Sequence, residues 1–184
     1  MFEILYTITD DIKELATLGE GELNCEVYHE IGGYFAFYVN GNDYGLYIKD
    51  AIEHDVCGGE RITDWFINLI LAYNEVARSG YALIDDIDSY IEWIEFEKIC
   101  DMAKISIIRA EKPDGTFTEV RLTPLEQFEY GRWQDETVKL NDIRTELIKK
   151  ASQYLDELGE INKKLLKSRD VAELKDLVLQ LMRI

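Results

Sequence analysis

Aromatic and β-branched runs broken by Gly and Asn fill the first 120 residues; a helical apolar period replaces them in the last third. FEILYTI (2–8) is short and apolar, as a first strand requires. TDDIKELATLGEGE has room for one or two helical turns before its glycines. YFAFYV and YGLYIK flank Asn40-Gly41-Asn42-Asp43 and predict a β-hairpin. Trp65, Leu69, Tyr73 and Val76 recur at helical spacing, with Phe66, Ile70 and Ala77 widening the stripe. This predicts a buried helix capped by Thr63 and stopped at Gly80. In the last third, Ile143, Leu147, Ala151, Tyr154 and Leu158 share one helical face, with Asn141 as the cap and Gly159 as the stop. Asp170 with Glu173 has capping-box spacing, and Val171, Leu174, Val178 and Leu181 continue as a second stripe.

SYIEWIEFEK (89–98) admits two readings. Ile84, Ile87, Ile91 and Ile94 fit a helical stripe with Asp85, Asp86, Asp88, Glu92 and Glu95 outside it. As a strand, the same stretch joins KISIIRAE (104–111) and, after the Pro113-Asp114-Gly115 turn, TFTEVRL. A meander explains all three runs together, so the strand is favoured. The predicted fold class is α+β: an antiparallel β-sheet meander with one buried helix and C-terminal helices packed on it. With 184 residues, 47% of them hydrophobic, the chain suffices for a single domain over 1–184. Residues 1–136 are read as mainly β with one buried helix, and 137–184 as helices.

Charge is the extreme quantity, at −17. Residues 1–100 hold 21 acids against five bases; residues 101–184 hold 16 against 15. Such acidity disfavours direct nucleic-acid binding, which needs clustered Lys and Arg. It suits steering toward a basic protein partner, or simple solubility. The opening MFEILYTITDD lacks the basic and apolar regions of a signal peptide, and no apolar run is long enough for a membrane helix. Cys25, Cys57 and Cys100 are odd in number and widely spaced, as expected of reduced thiols in a cytoplasmic protein.

Candidate chemistry is sparse. Cys25, His29, His54 and Cys57 suggest a zinc set, but an extended 25–29 separates the first two by about 13 Å. The same residues as a Cys/His nucleophile pair would need a cation to lower the thiol pKa, and the surroundings are acidic. Asp85, Asp86 and Asp88 lack the Gly and terminal Glu of a calcium loop. No phosphate-binding glycine loop is present. No metal or cofactor is expected, and the chain reads as non-catalytic. Asp85, Asp86, Asp88, Glu92, Trp93 and Glu95 are the expected partner contacts: the carboxylates pair with Lys or Arg, and Trp93 is the aromatic anchor if its ring faces solvent. If both faces of its strand are covered, the ring is core. Trp65 is read as core, and Trp133 as either.

The stretches YIEWIEFEK, KISIIRAEKPDG and RWQDETVKLNDIRTELIKKASQYLDEL, in that order over roughly residues 81–158, resemble small bacterial immunity proteins of polymorphic-toxin and contact-dependent inhibition systems. The resemblance implies a cytoplasmic antidote that binds a cognate basic toxin domain, such as a nuclease, and blocks it. The near-neutral C-terminal region departs from a uniformly acidic antidote. Two other classes stay open: a nucleic-acid-mimicking inhibitor from a phage or mobile element, which requires regularly spaced acids along one ridge, and a small enzyme, which requires a pocket gathering His29 or His54 with a thiol or carboxylate.

Overall fold

The computed structural model describes residues 1–19, 31–48, 59–86, 89–112 and 120–183. Its architecture is α+β with antiparallel sheets and C-terminal helices, as the patterning predicts. The chain divides into two compact units, each assembled from three separate stretches.

One unit comprises Ile4–Phe37, Tyr44–Ile67 and Glu146–Ile184. Its sheet has the order β1 (Phe2–Ile8), β2 (Gly32–Val39), β3 (Asn42–Leu46), and β4 (Glu60–Arg61) also pairs with β2. Alternation on β1 puts Ile4, Tyr6 and Ile8 on the core face. Tyr6 meets Phe66 and Tyr154 edge-on, each at 5.5 Å between ring centroids, and Phe35 stacks on Trp65. Helix α1 (Ile12–Thr17) is capped by Asp11, whose carboxylate accepts from Lys13 N (2.8 Å). Asn162 Nδ2 donates to the carbonyls of Leu15 and Leu18, fixing the end of this short helix.

The β2–β3 hairpin forms where predicted, with the turn at Asn40-Gly41. Both residues have positive φ (53° and 94°), the geometry a two-residue hairpin needs. Gly45 also has positive φ (90°), and a Cβ there would stand 2.4 Å from Phe35 O. Gly45→Ala is therefore expected to cost about 2 kcal/mol in chemical denaturation, from backbone strain plus the clash. An unchanged denaturation midpoint would contradict this close approach.

The other unit comprises Met1–Glu3, Tyr38–Asp43 and Asn68–Thr145. Its sheet has the order β10 (Glu136–Lys139), β7 (Met102–Arg109), β6 (Glu92–Ile99), β5 (Tyr81–Asp85), β8 (Val120–Arg121), and β9 (Glu129–Tyr130) also pairs with β7. The ambiguous segment is thus a strand and pairs with β7 as expected, and β5, which the patterning did not predict, flanks it on the other side. The VRL run departs from the expected meander: instead of following β7 it crosses to pair with β5 at the far edge.

Helix α2 (Ile62–Ser79) runs from the first unit into the second, with Trp65, Phe66, Leu69, Ile70, Tyr73 and Val76 buried. Gly80, at φ 90°, ends it as predicted. Three helix-end expectations are corrected. Thr63 does not cap: the helix starts at Ile62, and the buried Thr63 hydroxyl bonds Tyr154 Oη (2.8 Å). Asn141 lies inside α3 (Leu140–Ile161), which follows directly from β10. Gly159 also lies inside α3; a Cβ there would press on Leu166 Cδ1 at 3.2 Å, so the glycine makes room rather than a stop. In α4 (Arg169–Leu181) the cap position belongs to Ser168, and Asp170 sits in the first turn, where its charge complements the helix dipole. The stripe of α4 is buried as expected, with Leu177 added. Among the described residues, no helix is long and apolar enough to cross a membrane.

Candidate functional site

The acidic strand turns most of its charge inward. On β6, Trp93, Glu95 and Glu97 project from one face, and Glu92, Ile94 and Phe96 from the other. Trp93 is fully buried (0% exposed), which corrects its expected role as an exposed anchor. Leu83 on β5 and Ile108 on β7 pack with it, and Tyr81, Ala110 and Leu125 close around them. Lys112 Nζ and the Arg121 guanidinium stand over its ring at 5.4 and 5.6 Å, and its indole N–H donates to Ala110 O (3.3 Å). Two cations from the C-terminal half therefore hold the ring through its negative face.

The neighbouring carboxylates have internal partners as well. Asp85 is 5% exposed and ion-paired with Lys112, whose ammonium also donates to the carbonyls of Asp86 and Ser89. Glu92, 9% exposed, lies directly across from Arg109. Arg109 Nε and Nη2 both donate to Glu92 Oε1 (3.0 and 2.8 Å), and Arg132 Nη2 reaches Oε2 (3.5 Å). Burial opposes the Glu92 charge, but the two guanidiniums outweigh it and hold the carboxyl below its ordinary pKa. Glu95, 5% exposed, has no ion pair among the described residues, and Lys104 acts on it only weakly, after burial and the Tyr81 bond. Burial raises its pKa, and the Tyr81 hydroxyl bond (3.0 Å) offsets this only in part. Glu97 pairs with Lys104, the residue opposite it, which also reaches Asp135 (3.3 Å).

Of the six expected contacts, Asp85, Glu92, Trp93 and Glu95 are buried, Asp86 is half-buried and Asp88 lies outside the described residues. Asp85, Glu92, Trp93 and Glu95 are thus turned to internal partners rather than to solvent, contrary to the exposure expected of them. Trp65 is core, and Trp133 is half-buried with its N–H donated to Asp43 O (2.9 Å). Cys25, His29, His54 and Cys57 lie outside the described residues. Among the described residues, no group of three or more His, Cys, Asp or Glu is placed to hold a metal ion.

Residues from the near-neutral C-terminal half contribute to both units. Among the described residues, the unit containing the six-stranded sheet has 15 acids and nine bases, and the other has 12 and ten. The surpluses there are six and two.

A site that sequence reasoning missed lies on the first unit, at the outer side of β1. A groove of about 590 Å³ is lined by Tyr6, Thr7, Ile8, Ile12, Glu157, Glu160 and Ile161. Glu157 accepts from Gln153 Nε2 (2.9 Å). The Tyr6 hydroxyl is buried beside Glu157; burial, then the Glu157 charge and its interaction with the hydroxyl, push the pKa well above the ordinary tyrosine value. Ile12, 54% exposed, is the apolar rim. The only hint in the sequence was FEILYTI as the first strand, and its position at a sheet edge was not readable there.

Comparison with protein-family models, curated proteins and solved structures finds no match.

Proposed function

We propose that this chain is a non-catalytic acidic binding protein that captures a basic protein, and, more specifically, an immunity protein that neutralises a cognate toxin domain. One observation carries the reading. The acids of β5 and β6 are largely neutralised internally, yet the whole chain keeps a formal charge of −17. A net charge of this size raises the encounter rate with a cationic partner and penalises anionic ones. The immunity role rests on the resemblance over residues 81–158 and on this charge. A phosphate-mimicking ridge is less well supported: along α3, the row Asp142, Glu146, Gln153, Glu157, Glu160 is broken by Gln153 and by Lys149, which pairs with Glu146 (3.5 Å).

The test is capture at low salt of the basic protein encoded beside this one, followed by affinity measurements at rising salt. Affinity should fall at least about tenfold between roughly 50 and 300 mM salt, as screening of exposed charges demands. Inhibition of that protein's toxicity at one-to-one stoichiometry supports the immunity role. Tight capture indifferent to salt rejects electrostatic docking, and failure to bind any basic protein rejects the reading as a whole.

A further inference from the structure

We infer that the outer edge of β1 receives an extended, alternately basic and apolar segment of the partner as an added strand; this rests on the reading of a cationic protein partner. Thr9 N donates to Gly32 O (3.1 Å), so odd-numbered main-chain groups of β1 face β2 and even-numbered ones face away. Ile4 confirms the parity: its N–H donates to Glu146 Oε1 (3.2 Å), not to a strand. Beyond Ile4, the outward groups belong to Tyr6 and Ile8, the residues that line the groove. β1 ends the strand order of its sheet, and among the described residues no strand pairs with its outer side. An edge of this kind is a template for strand addition.

The lining selects the occupant. It offers two carboxylates, Glu157 and Glu160, no base, and an apolar floor and rim from Ile8, Ile12 and Ile161. A strand laid on Tyr6 and Ile8 directs alternate side chains to opposite faces, so Lys or Arg at every second position would meet the carboxylates with their aliphatic stems on the isoleucines, while the apolar residues between them turn to the other face of the sheet. A second copy of this chain is disfavoured as occupant, because pairing two β1 edges would bring Glu157 and Glu160 against their own copies on molecules of charge −17.

The experiment uses the full chain and a blocked heptapeptide of alternating Lys and Val, labelled for fluorescence anisotropy. The comparison peptide has Pro at every Val position, equal in charge and length but unable to complete a ladder. The Val peptide should bind at least about tenfold tighter and protect the Tyr6 and Ile8 amides from hydrogen exchange. Glu157→Lys with Glu160→Lys, at positions outside the core, should weaken it at least about tenfold, whereas Glu126→Lys with Glu129→Lys on the other unit should leave it within about twofold. Equal affinity for both peptides, no binding of either, or protection away from β1 overturns the inference. So does self-association that protects these amides without peptide, which assigns the edge to a second copy. If the basic protein is captured but the groove reversal changes nothing, the strand-addition site fails while the binding function stands; if no cationic partner binds, that function fails too.

Discussion

Trp93→Ala is expected to be among the most damaging single substitutions in this chain, lowering stability by about 3–5 kcal/mol in urea denaturation followed by near-ultraviolet circular dichroism. The ring is fully buried between Leu83 and Ile108, and its removal leaves a void that a paired central strand cannot collapse into. It also strips Lys112 and Arg121 of the aromatic face beneath them. Lys112 still has Asp85, but both would then border a cavity open to water. Trp93→Phe separates the contributions. It keeps most of the volume and loses the N–H to Ala110 and part of the cation–π attraction, so about 1–2 kcal/mol is expected. If Trp93→Ala unfolds at the wild-type midpoint, the ring is not the centre of this cluster. If it weakens partner binding with stability intact, the ring is an anchor after all.

Strands β1, β2, β3, β6 and β7, the hairpin at Asn40-Gly41 and the buried helix were legible because their signals are local: alternation, turn residues and a 3.6-residue period. The helix ends were less so. Thr63 and Gly159 look like punctuation in sequence, but tertiary contacts with Tyr154 and Leu166 set their roles. The fate of the acidic strand was half legible. Once the turn is placed at Cys100-Asp101, antiparallel counting sets Glu97 opposite Lys104 and Glu92 opposite Arg109, and the charges cancel across the hairpin. Reading the acids as a block, apart from their cross-strand partners, made an internal ladder look like a docking surface. Lys112 and Arg121 over Trp93 were not legible, because they depend on a chain crossing that sends β8 to the far side of β5. The β1 groove depends likewise on which strand is left at an edge, a property of the whole sheet.

Glu92 and Glu95, three residues apart on one strand, should respond to charge removal with opposite signs. Glu92→Gln leaves Arg109 and Arg132 beside a neutral amide. Both guanidiniums are about half exposed, so solvent offsets part of the loss, and about 1–3 kcal/mol at pH 7 is expected. Glu92→Lys adds a third cation at a 9% exposed position and should cost about 3–5 kcal/mol. The folded-state pKa of Glu92 is depressed, so its contribution is present above the unfolded carboxyl value and fades as pH falls through the folded one. The gap between wild type and Glu92→Gln should therefore close on acidification below about pH 4. Glu95 runs the other way. Its folded pKa is raised, so stability is lost as pH climbs from the unfolded value through the folded one, and holding the charge at neutral pH is a cost. Glu95→Gln keeps an acceptor for Tyr81 Oη while removing a poorly solvated charge, and should leave stability unchanged or raise it by up to about 1 kcal/mol at pH 7, with no gain near pH 4. Denaturation midpoints of both variants from pH 4 to 8 decide the matter: equal losses at pH 7 would mean that Glu95, like Glu92, is held by a cation, and the internal ladder would have to be redrawn.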